Sequence, residues 1–179
     1  MIRHVLFTGE VGSGKSTALR QTLALLGESV SGIETYSPEP RGVRPKRLFL
    51  RAYGSRDEGT LVCMVPGEDR SGVETIFDTV AVEYLKAAEK KEGVLVIDEI
   101  GRLERGAHAY HSALRACFDG TKPVLGVLRR RQADWADWIR NRSDVLLLEV
   151  TEDNRDALPE LAAGVIGKAL KDEKRNKAE

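Results

Sequence analysis

Cysteine, tryptophan and methionine are each present only twice in 179 residues, and aromatic residues make up 6%. Two cysteines, Cys63 and Cys117, each inside an apolar run, exclude a disulfide-stapled secreted scaffold and read as buried small hydrophobes in a reducing compartment. Neither sign of charge is in excess: 28 Lys and Arg balance 28 Asp and Glu. No global field therefore draws the chain to nucleic acid or to an anionic membrane. No apolar run approaches the ~18 residues of a membrane span. The first apolar run leads straight into a glycine-rich turn and so lacks the form of a signal-peptide core. Internal repeats are absent. What remains is a globular chain, expected in the cytoplasm, with no membrane partner and no expected nucleic-acid partner. Apolar residues at 41% and charged residues at 31% suit one ordinary domain over 1–170, large enough for a five- or six-stranded sheet covered by helices. The mixed-charge stretch 171–179 is expected to be a flexible tail.

What is there begins at residue 7, with "FTGEVGSGKSTALR". Gly9, Gly14, Lys15 and Ser16 complete the pattern G-x-x-x-x-G-K-[ST] of a phosphate-binding P-loop. The context fits: "VLFTG" suits a buried parallel strand, and Ala18, Leu19, Thr22 and Leu25/Leu26 follow at helical spacing. Gly9, Gly12 and Gly14 let backbone N–H groups approach phosphate, and the helix start adds partial positive charge. Lys15 is placed to reach β- and γ-phosphates, and the Ser16 hydroxyl to bind Mg²⁺.

Further along, residues 28–45 are rich in Pro, Gly and Ser and read mostly as loop. "RLFLRAY" (47–53) and "GTLVCMVP" (59–66) read as a hairpin turned by "GSRDEG". Ser71 and Glu74 form a capping box. The helix it opens carries Val73, Ile76, Phe77, Val80, Tyr84, Leu85 and Ala88 on one face. Strands follow at 93–98, 123–128 and 145–150, and helices at 107–118, around "ADWADWIRN" and over 154–170. Strands alternating with helices imply right-handed crossovers and a mainly parallel sheet.

"GVLVIDEIGRLE" is the second site. Ligands in open α/β sheets lie beyond the carboxyl ends of the strands. Asp98 ends an apolar strand, so it belongs at that edge, where a carboxylate holds Mg²⁺. Glu99 follows directly and is placed to orient or deprotonate a water. Ser16, Asp98 and Glu99 together favour hydrolysis over mere binding. Arg129, Arg130 and Arg131 follow a buried strand, and one of them is a candidate for stabilising transition-state charge. His108 and His111 share a helix face but have no third ligand and read as solvated. Trp135 and Trp138 read as core anchors.

These residues resemble a known family, the small P-loop nucleoside-triphosphatases whose human member is called cancer-related nucleoside-triphosphatase. "RHVLFTGEVGSGKSTAL" looks like its opening and "VIDEIGRLE" like its second signature. "IRNRSDV" and "VTEDNRDALPEL" are similar to its later segments. The resemblance implies an α/β RecA-like P-loop fold, with the hairpin near 46–66 as an insertion. It implies slow Mg²⁺-dependent hydrolysis of ATP, GTP, CTP and UTP to diphosphate and phosphate, with Lys15 and Glu99 catalytic and Ser16 and Asp98 at the metal. By the same resemblance the nucleotide meets Gly9, Glu10, Val11, Gly12, Ser13, Gly14, Lys15, Ser16 and Thr17, and Leu95, Val96, Ile97, Asp98, Glu99, Ile100, Gly101 and Arg102. One departure stands out: "YSPEPRGVRPKR" replaces the acidic–valine–arginine segment that follows "GIET" in the family, leaving Arg41 or Arg44 to stand in for its arginine.

Two other readings compete. A small nucleoside or metabolite kinase would use "RRRQADW" as a lid and turn its acid on an acceptor hydroxyl. A nucleotide-dependent adapter would bind with negligible turnover. "DEIGRLE" weighs against the first and Glu99 against the second. Base preference and oligomeric state are left open by these residues.

Overall fold

The computed structural model describes residues 1–40, 42–66, 72–131 and 133–178. Seven strands form one sheet: β1 (His4–Thr8), β2 (Val30–Tyr36), β3 (Lys46–Ala52), β4 (Thr60–Val65), β5 (Val94–Ile100), β6 (Val124–Leu128) and β7 (Val145–Glu149), in the spatial order β4-β3-β2-β5-β6-β1-β7. The pairs from β2 through β5, β6 and β1 to β7 are parallel, and β3 and β4 add on antiparallel. The expected hairpin is thus an extension of the sheet's edge. Among the described residues the helical segments are α1 (Lys15–Leu26), α2 (73–89, with a π-helical stretch Phe77–Ala81), α3 (His108–Asp119), a 3-10 turn Asp134–Ala136, α4 (Asp137–Arg140) and α5 (Leu158–Ala178). This is the RecA-like α/β arrangement that the resemblance implies. Among the described residues no helix is long and apolar enough to cross a membrane.

Alternation along the strands divides the interior into two cores. Val5 and Phe7 of β1 face one way, with Val96, Leu125, Val127 and the α1 and α5 residues Leu19, Ala162 and Ile166. Leu6 faces the other way, with Ile97 and Leu128, toward Phe77 and Leu85 of α2 and Leu114 and Phe118 of α3. Both thiols lie in this second core. In α1, Ala18, Leu19 and Thr22 are buried as their spacing requires, but Leu25 is 56% exposed and points to solvent. Gly27 ends the helix in the left-handed conformation, its N–H on the Leu23 carbonyl at 3.1 Å.

Two expectations are corrected. Part of the stretch read as loop is β2, which sits inside the sheet between β5 and β3. Gly32 in its middle has φ +149°, and a Cβ there would collide with the Val96 carbonyl of β5. The glycine that looks like a turn residue is what lets two strands approach. Likewise, the charged stretch after 170 does not leave the helix: α5 runs on to Ala178, with a Lys177–Glu173 ion pair of 2.7 Å one turn apart. Ser71 of the expected capping box lies outside the described residues. The helix begins after Gly72, with Glu74 in its first turn.

Candidate active site

The P-loop runs from the end of β1 to the start of α1, and all three of its glycines have positive φ: 137° at Gly9, 88° at Gly12 and 106° at Gly14. At Gly9 a Cβ would come within 2.6 Å of the Val150 carbonyl, so no larger residue fits beneath the loop. Lys15 curls back over it. Its Nζ donates to the carbonyls of Gly9 at 3.1 Å and Glu10 at 2.6 Å. Burial lowers its pKa, opposed by Glu99.

Across the loop stands the end of β5. The Ser16 hydroxyl donates to Asp98 Oδ1 at 3.1 Å, joining residues 82 apart in the chain. Burial raises the Asp98 carboxyl to about 6, against the pull of the Ser16 hydrogen bond and with a further push from Glu99. Glu99 lies 3.6 Å from Arg129 Nη1. The hydroxyl and carboxylate are hard oxygen donors, and among the described residues no group of three or more His, Cys, Asp or Glu could hold a metal. That donor set suits Mg²⁺, which is typically bound by one or two protein oxygens with phosphate and water, not by a protein cage. His111 is engaged otherwise, at 2.7 Å from the Glu104 carbonyl and stacked on Trp135.

The loop leaving β5 is clamped. Trp135 Nε1 donates to the Gly101 carbonyl at 2.8 Å, and the Gly101 N–H donates to Glu104 at 3.2 Å. Glu104 is 2% exposed, and burial raises its carboxyl to about 8. Trp135 is therefore more than a core anchor: it grips the turn that carries Glu99 into place.

A cleft of about 900 Å³ lies over these groups. Its walls include Gly9, Glu10, Val11, Gly12, Gly14, Lys15, Ser16 and Thr17 from the P-loop, Glu99 from the end of β5 and Arg102 from beyond it. Asp98 and Gly101 line an adjoining hollow. Ser13 has its hydroxyl buried, and Leu95, Val96, Ile97 and Ile100 are core residues of β5, 1% exposed or less. They position the segment from behind. Nine cationic side chains among the described residues line the cleft, against only Glu10 and Glu99 of opposite sign. Arg20, Lys46 and Arg155 among them carry no motif. Arg155 follows β7 and reaches the start of α1, where it borders a small hollow with Gly14, Thr17, Gln21 and Asp156. Of the two arginines that the sequence offers for the family's missing one, Arg44 lines the cleft, and Arg41 lies outside the described residues. Of the three consecutive arginines, Arg129 pairs with Glu99 and Arg130 with Glu10 and Glu149 at 3.1 and 3.0 Å, while Arg131 is 4.0 Å from Glu10.

A family model described as NTPase matches residues 4–162. The chain belongs to this NTPase family. Within it, the chain is 30% identical to the nucleoside-triphosphatase THEP1 of Natranaerobius thermophilus, over 93% of this chain and 98% of that one. It is 30% identical to human cancer-related nucleoside-triphosphatase, over 88% and 93% of the two chains. The crystal structure of THEP1 from the hyperthermophile Aquifex aeolicus superposes with a TM-score of 0.70 at 22% identity, covering 91% of this chain and 98% of that one. The NTPase family generally uses a divalent metal, and the matched span contains both the P-loop and the acidic end of β5.

Proposed function

We propose that the chain hydrolyses nucleoside triphosphates to diphosphate and phosphate, with Mg²⁺ and with broad tolerance of the base. The observation that carries this reading is the juxtaposition of Ser16 and Asp98 at 3.1 Å, with Glu99 one residue further on in the wall of the P-loop cleft. Ser16 and Asp98 would hold the Mg²⁺, which when bound neutralises phosphate charge and polarises the γ-phosphoryl group. Lys15 leaves the loop carbonyls and takes the β- and γ-oxygens. The carboxylate of Glu99 accepts a proton from a water as that water's oxygen bonds to Pγ and the bond from Pγ to the bridging oxygen breaks. Arg129, beside Glu99, is the best placed of the three arginines to meet charge that develops on the γ-phosphoryl oxygens. The base and ribose belong in the hollow bordered by Thr17 and Arg155, whose lining does not include Glu99.

Phosphate release from ATP, GTP, CTP and UTP, with and without Mg²⁺ and with no added acceptor, tests the reading. Release is expected from all four, dependent on Mg²⁺. Their specificity constants are expected to lie well within the ~10⁴-fold range that a base-reading site commands. No release without an acceptor would overturn hydrolysis, and a spread of that size would overturn base tolerance.

A further inference from the structure

Beyond Glu99 the P-loop cleft opens into a second hollow of about 260 Å³. Ser16, Arg44, Lys46, Glu99, Arg102 and Arg129 stand in the walls of both. Thr35, Tyr36 and Ser37, where β2 ends, belong to the second hollow alone, as do Asp98, Gly101 and Glu104 and the apolar Leu48, Val65 and Leu103. One liquid water occupies ~30 Å³, so an attacking water and a Mg²⁺ held by Ser16 and Asp98 leave part of this space unused. The hollow is smaller than the ~300 Å³ at which pockets for drug-sized molecules begin. The hydroxyls of Thr35, Tyr36 and Ser37 and four cations share the lining with the carboxyl groups of Asp98, Glu99 and Glu104, two of which burial holds above the ordinary carboxylate range.

Two of these cations are not spent internally. Neither Arg44 nor Lys46 forms an ion pair with any described residue; Arg44 reaches only the Val65 carbonyl, at 3.4 Å. Arg47, the next cation along β3, is by contrast closed onto Glu39 at 2.7 Å. Cations paired with hydroxyl donors in a small polar hollow match the charge and the several acceptor oxygens of a phosphate group. We propose that this hollow binds a small phosphate-bearing anion alongside the nucleotide, on the side of the terminal phosphate from which attack comes. The neighbouring nucleotide is the one assigned under the proposed function, and the subsite rests on that reading for its position relative to the γ-phosphate.

Inorganic phosphate is the probe. It is titrated calorimetrically into protein saturated with Mg²⁺ and a non-hydrolysable ATP analogue, for the wild type, Ser37→Glu and Lys46→Ala. Ser37 lines the second hollow and not the nucleotide cleft, and its hydroxyl donates to Glu39 at 2.9 Å, so a carboxylate there charges the hollow from outside that cleft. Phosphate is expected to bind the loaded wild type without displacing the analogue. Ser37→Glu is expected to weaken it at least tenfold and Lys46→Ala several-fold, with the analogue's affinity in Ser37→Glu unchanged within twofold. The subsite is overturned if the loaded protein takes up no phosphate, if phosphate displaces the analogue, or if wild type and Ser37→Glu bind it equally. Failure of the analogue itself to bind would strike the nucleotide reading instead. Titration of the unliganded protein, sensitive to Ser37→Glu or not, then decides the subsite.

Discussion

The two ends of the parallel strands treat charge in opposite ways. At the amino ends the inward-facing cations Arg142 and Lys122 are answered. Arg142 donates to Asp144, to Asp119 and to the Phe118 carbonyl. Lys122, 8% exposed, gives its ammonium protons to Ser31 and to the carbonyls of Ala88 and Lys91. His4 is fully buried, accepts the Val124 N–H on Nδ1 and lies 3.6 Å from Asp144. At the carboxyl ends, cations crowd a cleft with few acids, and Lys15 must make do with carbonyls of its own loop. Charge matched inside the protein holds the fold; charge left over waits for a ligand. A chain with no net charge can do both, because only the distribution matters.

The largest break in this comparison is expected from Lys15→Ala. It removes a cation that belongs to the ligand, not the fold. Nucleotide-dependent phosphate release should vanish while the melting temperature stays close to that of the wild type. Near-normal release would show that the cleft has been assigned to the wrong chemistry.

Glu99→Gln comes next. The amide keeps the size and loses the basicity, so kcat should fall by ~10²–10⁴-fold, the usual worth of a positioned base. Affinity for a non-hydrolysable triphosphate should barely change, because Lys15, Ser16 and Asp98 remain. Single-turnover hydrolysis alongside equilibrium binding separates the two effects.

At the opposite end the effect is on stability and depends on pH. Burial chiefly, opposed by Asp144, lowers the His4 pKa from 6.5 to about 4, so the folded protein holds this ring neutral. Between those values the unfolded chain binds a proton that the folded one refuses. The contribution is therefore complete above pH 6.5 and is lost as pH falls toward 4, by about 3 kcal/mol at ~1.4 kcal/mol per pH unit. Denaturant titrations at several pH values should show His4→Gln with a shallower decline across that window. An unchanged slope would mean that His4 is not held neutral.

Arg142→Ala sharpens the contrast from the same end with a smaller change. It strips charge-assisted bonds from Asp144, Asp119 and the Phe118 carbonyl, which should cost about 2 kcal/mol given the partial exposure of the group. Turnover at saturating nucleotide should be unaffected, and a several-fold fall in kcat in a folded variant would contradict the division of labour.

How much of this was legible in the sequence follows the same divide between local and assembled features. Gly9 to Ser16 are contiguous, and the strand–loop–helix around them is dictated by local geometry, so the P-loop can be read directly. Asp98 and Glu99 are legible because a fully apolar run can only be a buried strand, and a strand's carboxyl end is where ligands sit. β2 was not legible: Ser31 and Gly32 are turn formers in isolation, and pairing with β5 and β3 overrides that preference. Arg20, Lys46 and Arg155 come from three separate segments with no shared spacing; only the folded sheet edge brings them to one cleft. The grip of Trp135 on Gly101 was hidden for the same reason, since helical spacing marks a side chain as inward-facing and says nothing of where its N–H points.

β6 runs between the strand that feeds the P-loop and the strand that carries Asp98, with Leu6, Gly126 and Ile97 in one lateral row. Two hydrogen-bonded steps of ~4.8 Å therefore separate the phosphate-gripping strand from the acid-bearing one. The sheet acts as a gauge block, fixing the span into which a triphosphate and its attacking oxygen must fit. Gly126 keeps that gauge true, because a Cβ there would sit 2.6 Å from the Ile97 carbonyl. The graduations of such a ruler are peptide groups, which every sequence carries, and so the architecture persists at a TM-score of 0.70 where only 22% of the side chains agree.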